Sequence, residues 1–271
     1  MAREPLKVGL AGLGAVGLTV ARRIEAGIPG LVLAAVSARD TEKARRNLPG
    51  IGDRIAIVPV EALAQMCDLV VEGLPPAMFR NVAAPAIEHG KLFMPLSVGQ
   101  LLENWDLVAR ARETGARILV PTGALIGLDA VRAAAEGTIR SVTMVTRKPP
   151  GGLEGARYLV EHGISLKGLN TAKKVFDGTA REGARGFPEN VNVAAALSLA
   201  GIGPDRTRLE IWADPALDRN THRIEVDADT ASFSMSIENV PSIENPKTGR
   251  ITALSAVAAL RGLVTELKVG T

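Results

Sequence analysis

The first half of the chain alternates short, almost purely apolar runs with amphipathic stretches. Residues 7–11, 31–36, 55–58, 68–72, 92–97 and 117–120 read as strands, and residues 15–26, 41–47, 77–88 and 101–114 as helices between them. Near-continuous Val, Ile and Leu runs suit strands whose two faces are both covered by helices. The strand–helix rhythm therefore predicts an α/β fold whose first domain, residues 1–122, is a Rossmann-type, doubly wound parallel sheet.

The rhythm changes near Thr122-Gly123-Ala124. After a helix over 125–136, the patterns at 141–148, 208–213 and 222–226, the last continuing into 232–238, alternate strictly between apolar and polar. Alternation gives each strand one wet and one buried face, so an α+β domain with a mixed, one-side-covered sheet is expected over 123–245. A helix at 191–200 falls inside it. A last helix over 251–266, apolar at Leu254, Val257, Ala258 and Leu260, is expected to pack back on the first domain as part of a segment 246–271. Pro149-Pro150-Gly151-Gly152 is a turn, and there is no internal repeat.

Composition narrows the function. A chain of 271 residues can bury roughly three quarters of its unfolded surface without a disulfide or metal staple. Its formal charge of +3 is a small surplus spread along the sequence, and five Phe, two Trp and one Tyr leave little for stacking on bases. Nucleic-acid binding is disfavoured. The single cysteine, Cys67, excludes an internal disulfide and a Cys-rich zinc site, and three scattered histidines do not make a metal cluster. No apolar run reaches the ~18 residues of a membrane span, and the first residues lack a secretory pattern, so a cytoplasmic protein without membrane partners is expected.

Gly12-Leu13-Gly14-Ala15-Val16-Gly17 follows the first strand and opens the first helix. Gly12 permits the tight turn, Gly14 lets the backbone approach a pyrophosphate, and Gly17 lets helix and strand pack closely. The helix start at Ala15 and Val16 offers N–H groups and a positive dipole end to the phosphates. In this position the loop predicts a dinucleotide cofactor, NAD or NADP. An NAD site usually carries a carboxylate at the end of the second strand, whereas this chain has Ser37, with Arg39 close behind. Serine and arginine can accept a 2′-phosphate, which favours NADP at least as much as NAD. Asp40 reads as the cap of the following helix.

His222 is the best-placed proton carrier. A period of two sets Asn220, His222, Ile224 and Val226 on one, apolar face, with Arg223 and Glu225 towards water. The pattern alone also fits an ordinary core histidine. His89 and His162 each precede a glycine at a helix end, where they read as caps. Cys67 reads as a small buried residue, and the Leu254/Val257/Leu260 stripe as packing.

Several ordered blocks resemble the L-aspartate dehydrogenase family: Gly123-Ala124-Leu125-Ile126-Gly127-Leu128-Asp129, Thr146-Arg147-Lys148-Pro149-Pro150, Phe187-Pro188-Glu189-Asn190-Val191-Asn192-Val193-Ala194-Ala195, Asp214-Pro215, Asn220-x-His222 and Glu244-Asn245-Pro246-Lys247-Thr248. The resemblance spans residues 9 to 261. The chain departs from the family's pattern at Thr122, Leu125 and Gly249. The resemblance implies a two-domain, homodimeric enzyme that oxidises L-aspartate with NAD or NADP to iminosuccinate, which hydrolyses to oxaloacetate and ammonia and would suit a supply route to NAD. It implies His222 as the active-site residue, and Ala124 and Asn190 as lining the cofactor.

With an imidazole pKa near neutrality, His222 is expected to take a proton from the substrate ammonium or from attacking water. Two substrate carboxylates need anion-holding groups. Lys148 and Lys247, each beside a proline, and Asn192, at the helix start after Pro188, are the candidates. Two other readings use the same residues: a dehydrogenase or reductase of another small amino or imino acid, and a non-enzymatic dinucleotide-binding regulator.

Overall fold

Six of the apolar runs form one parallel sheet. In the computed structural model, which describes residues 4–52, 54–188, 191–243, 245 and 248–270, these are β1 (Leu6–Ala11), β2 (Leu31–Ser37), β3 (Ala56–Ile57), β4 (Leu69–Glu72), β5 (Leu92–Pro95) and β6 (Arg117–Ile118). Their spatial order is β3-β2-β1-β4-β5-β6. Sequence order thus runs outward in both directions from β1, so the connections on either side of the β1–β4 seam diverge and leave a crevice at the carboxyl ends of the strands. All four residues of β4 are buried, as a central strand with helices on both faces requires.

Val8, Leu10, Leu33, Leu69, Val71 and Met94 from the sheet pack with Val20 and Ile24 of the helix Ala15–Glu25. Ala256, Val257 and Leu260 of the helix Arg250–Gly262 complete this core. Each such large apolar side chain contributes about 1.5–3 kcal/mol on full burial. Gly9 lies where β1 passes the short helix Leu63–Met66: a Cβ there would stand 2.8 Å from the sulfur of Cys67. The thiol is buried, which pushes its pKa up to about 11.

By contact the chain divides into two compact units, Met1–Pro121 with Thr252–Lys268, and Thr122–Ile251 with Val269–Thr271. The second unit is a five-stranded sheet of β7 (Ile139–Lys148), β8 (Lys173–Thr179), β9 (Thr207–Ala213), β10 (Thr221–Ala228) and β11 (Ser232–Glu238), ordered β11-β10-β7-β9-β8. Only β7 and β9 pair in parallel; the other neighbours are antiparallel. Val142, Met144, Leu209, Ile211, Ile224 and Val226 lie on the covered face. The helices Leu128–Ala135, Ala180–Gly186 and Asn192–Ala200 pack within this unit. The other face is polar: Arg223 pairs with Glu225 (2.9 Å) and Arg208 with Asp177 (2.9 Å). There Trp212 lies 4.9 Å from the Arg147 guanidinium and 5.9 Å from the Lys174 ammonium.

The strands expected over 55–58, 92–97 and 117–120 are shorter, Ala56–Ile57, Leu92–Pro95 and Arg117–Ile118, and other elements differ as well. The helix expected over 101–114 is two, Val98–Glu103 and Trp105–Thr114, because the Asn104 side chain bonds the Gln100 carbonyl (2.8 Å) and its backbone leaves helical angles. The helix expected from 125 starts at Leu128, since Gly127 precedes it at φ 70°. The last helix ends at Gly262. Strand β8 follows no alternation because a bulge between Lys174 and Phe176 turns both Val175 and Phe176 inward. Among the described residues, no helix is long and apolar enough to cross a membrane.

Candidate active site

Gly12 leaves β1 at φ +99°, and its N–H donates to the Ser37 carbonyl (2.9 Å). A Cβ at Gly12 would lie 2.7 Å from the Gly73 carbonyl oxygen, and one at Gly17 would overlap the Gly12 carbonyl oxygen. Gly14 differs: a Cβ there meets nothing within 4 Å. Gly12 and Gly17 are therefore glycine for the fold, and Gly14 faces open space. Gly14 is also the N-cap of the helix Ala15–Glu25, with no side-chain cap and no acid in the first turn. The N–H groups of Ala15, Val16 and Gly17 have no acceptor within the helix. Open backbone, oriented donors and no competing anion fit a pyrophosphate.

Ser37 ends β2 beside Ala11 in register, next to this loop. Arg39 is exposed and makes no ion pair among the described residues. The Asp40 carboxylate accepts from Lys43 N–H (2.8 Å), capping the helix Thr41–Asn47 as expected.

In the second unit, the covered face turns polar at one end of the sheet. His222 on β10 stands opposite Thr146 on β7, and the Thr146 Oγ1–His222 Nδ1 distance is 3.1 Å. Lys148, on the same face two residues beyond Thr146, is only 6% exposed. It is thus no solvated surface lysine. His222 itself is 3% exposed. Burial, aided by the nearby Lys148 charge, pushes its pKa down to about 3. This corrects the expectation of an imidazole titrating near neutrality: at physiological pH His222 is neutral, a proton acceptor and not a donor. The contact with Thr146 engages Nδ1 and does not involve the other ring nitrogen, Nε2.

Ala124 lies in the turn between Gly123 (φ +66°) and Gly127 (φ +70°), and its carbonyl accepts from Asn239 Nδ2 (3.1 Å). The backbone N–H of Asn239 in turn donates to the Asn220 carbonyl (2.8 Å), so one residue joins this turn to the strand that carries His222. Asn192 is the first residue of its helix and half-buried. Asn190 and Lys247 lie outside the described residues. His89 and His162 close helix ends, their Nδ1 atoms 2.8 and 2.9 Å from the carbonyls of Pro85 and Tyr158. Sequence reasoning missed Thr146 and Asn239. Thr146 was visible in the period of two that it shares with Lys148, whereas nothing local marks Asn239.

Residues 12–121 match the family model described as the NAD-binding domain of homoserine dehydrogenase, and residues 129–263 match the one described as the C-terminal part of aspartate dehydrogenase. With its glycine loop at the switch point of the parallel sheet, the chain is a dehydrogenase that uses a nicotinamide dinucleotide. It is 54% identical over 270 residues to the L-aspartate dehydrogenase of Bradyrhizobium diazoefficiens, covering 100% of this chain and 96% of that protein. It is 50% identical to L-aspartate dehydrogenase 3 of Bordetella bronchiseptica, with 99% of each chain covered. The fold also matches the crystal structure of aspartate dehydrogenase from Thermotoga maritima, with a TM-score of 0.73 at 22% identity, covering 98% of this chain and 99% of that one. The chain belongs to the L-aspartate dehydrogenase family.

Proposed function

We propose that the protein oxidises L-aspartate to iminosuccinate with NAD or NADP, water then releasing oxaloacetate and ammonia, and that iminosuccinate can feed the synthesis of NAD. The observation that carries this reading is the buried group of Thr146, His222 and Lys148 at one end of the covered, largely apolar sheet face. A neutral base and a buried cation suit a substrate that is an ammonium and a dicarboxylate at once. Gly12, Gly14, Ala15, Val16 and Gly17 hold the pyrophosphate, Ser37 and Arg39 the ribose and its 2′-phosphate, and Ala124 and Asn190 the remainder of the cofactor. When bound, the nicotinamide ring supplies the acceptor for the hydride that leaves the substrate Cα.

The protein's own part is placement and proton traffic. Lys148 pairs with one substrate carboxylate, and Asn192 and Lys247 hold the other. Pairing offsets the Lys148 charge beside His222, and the second carboxylate adds negative charge, so the proton affinity of the imidazole rises on substrate binding. Nε2 then takes one proton from the substrate ammonium, so that departure of the hydride from the Cα leaves the protonated imine, while Thr146 keeps Nδ1 in one orientation. In the reverse direction the same imidazolium returns the proton. Ser37 and Arg39 make NADP at least as good a cofactor as NAD. We also propose a homodimer, the polar face of the five-stranded sheet being the surface available to a second copy; sedimentation should give twice the mass of one chain.

The deciding experiment is a spectrophotometric scan of amino acids against NAD and NADP. Rapid turnover of L-aspartate, with little of alanine, glutamate or homoserine, is expected. Preference for one of the others would make this a dehydrogenase of another small amino acid. Cofactor binding without any turnover would make it a regulator.

A further inference from the structure

Two carboxylates are buried among the described residues, and only one has a cation. Asp214 (8% exposed) is met by Arg147 at 3.3 Å. Glu72, at the carboxyl end of β4, is 0% exposed and is paired with no cation among the described residues. Three donors answer it instead. Its Oε1 accepts from Leu74 N–H (2.9 Å) and from the Ser97 hydroxyl (3.0 Å), and its Oε2 accepts from Ser97 N–H (3.0 Å). Burial holds its pKa above the usual carboxyl range, and these bonds offset only part of the rise. Burying a carboxyl group without a cation is costly even when its oxygens are bonded, so a stabilising role is a poor reason for its presence.

What the carboxylate holds is specific. Leu74 belongs to the loop leaving β4 and Ser97 to the loop leaving β5, so one side chain fixes two neighbouring loops to each other. The first of them supports the glycine loop: Gly73 N–H donates to the Ala11 carbonyl (2.9 Å), and a Cβ at Gly12 would meet both the Gly73 carbonyl and Leu74 Cδ2. In a doubly wound sheet the adenylate half of a dinucleotide lies over the first strands and the nicotinamide half over those beyond the switch point. Glu72 stands beyond it.

We infer that Glu72 is a positioning residue for the nicotinamide half of the dinucleotide, acting through the loops after β4 and β5 and touching no ligand itself. This rests on the glycine loop being the cofactor site. It predicts a division that a merely stabilising residue would not produce. In Glu72→Gln, one carboxylate oxygen becomes an NH2 group facing an N–H donor, so a loop bond is lost at nearly constant volume.

The test is calorimetric titration of wild type, Glu72→Gln and Ser97→Ala with oxidised NAD and with ADP-ribose, which lacks the nicotinamide, and with NADP and its corresponding fragment. NAD(P) should bind about tenfold more weakly to Glu72→Gln, and about threefold more weakly to Ser97→Ala, which keeps the backbone donor. The nicotinamide-free fragments should bind all three proteins within about twofold. Equal weakening of dinucleotide and fragment, or no weakening of either, would overturn the inference. Should Glu72→Gln not fold, Ser97→Ala decides by the same ratio. If wild type binds neither dinucleotide nor fragment, the cofactor reading of the loop fails first and takes the inference with it.

Discussion

Thr146 and His222 meet across β7 and β10 with 3.1 Å between hydroxyl oxygen and Nδ1, and both side chains are buried. In the proposed mechanism this contact leaves Nε2 as the nitrogen that takes the proton. His222→Ala should lower kcat for aspartate oxidation by about 10²–10⁴. Thr146→Val, which keeps the shape and removes the hydroxyl, should lose about tenfold, and Thr146→Ser should recover most of it. Steady-state kinetics of the three variants checks the ranking; an unaltered kcat in His222→Ala would remove the imidazole from the reaction.

Burial of His222 also shapes the response to pH. Since kcat/KM reports the free enzyme, where the imidazole pKa is about 3, its profile should show no break near pH 6.5. Folding lowers the proton affinity of His222 below its value in the unfolded chain. Its contribution to stability is therefore complete above about pH 6.5 and is lost as the pH falls from there towards 3. Chemical denaturation from pH 7 to 4 should be flatter in His222→Gln than in wild type.

Two glycines of the same loop should respond differently to one methyl group. Gly14→Ala meets open space in the protein, so its melting temperature should hold while KM for the cofactor rises by about tenfold or more. Gly17→Ala forces a methyl onto the Gly12 carbonyl oxygen and should lower both cofactor binding and melting temperature. Thermal melts beside cofactor titrations separate the two.

Arg39 is the handle on cofactor choice. Arg39→Asp replaces a cation by a carboxylate two residues beyond β2, repelling a 2′-phosphate. The ratio of kcat/KM for NADP to that for NAD should fall by at least about tenfold. A constant ratio would mean that the guanidinium does not reach the ribose.

Much of this was legible in the residues because the physics involved is local. Apart from Lys7 and the end residues Ser37 and Glu72, the runs at β1, β2 and β4 carry no polar side chain, as doubly covered strands require, and the glycine loop sits between a strand and a helix. The alternation around His222 likewise gave its buried face correctly. Its proton affinity was not legible, because it depends first on how completely the packed fold buries the ring and then on the charge of Lys148, 74 positions away in sequence and brought near only once β7 and β10 pair. Glu72 escaped for a similar reason. A carboxylate ending an apolar run looks like the start of a loop until Ser97, 25 residues on, folds over it. The bulge in β8 erased the one signal that would have announced that strand.

The closeness of Gly9 to Cys67 has a practical corollary. The chain's one sulfhydryl is shut beneath the first strand and held in its unreactive, protonated form. Alkylating reagents and mild oxidants should pass the native protein by, and it needs no reductant in storage. A cysteine placed at any surface position would then be the sole address for a fluorophore or spin label.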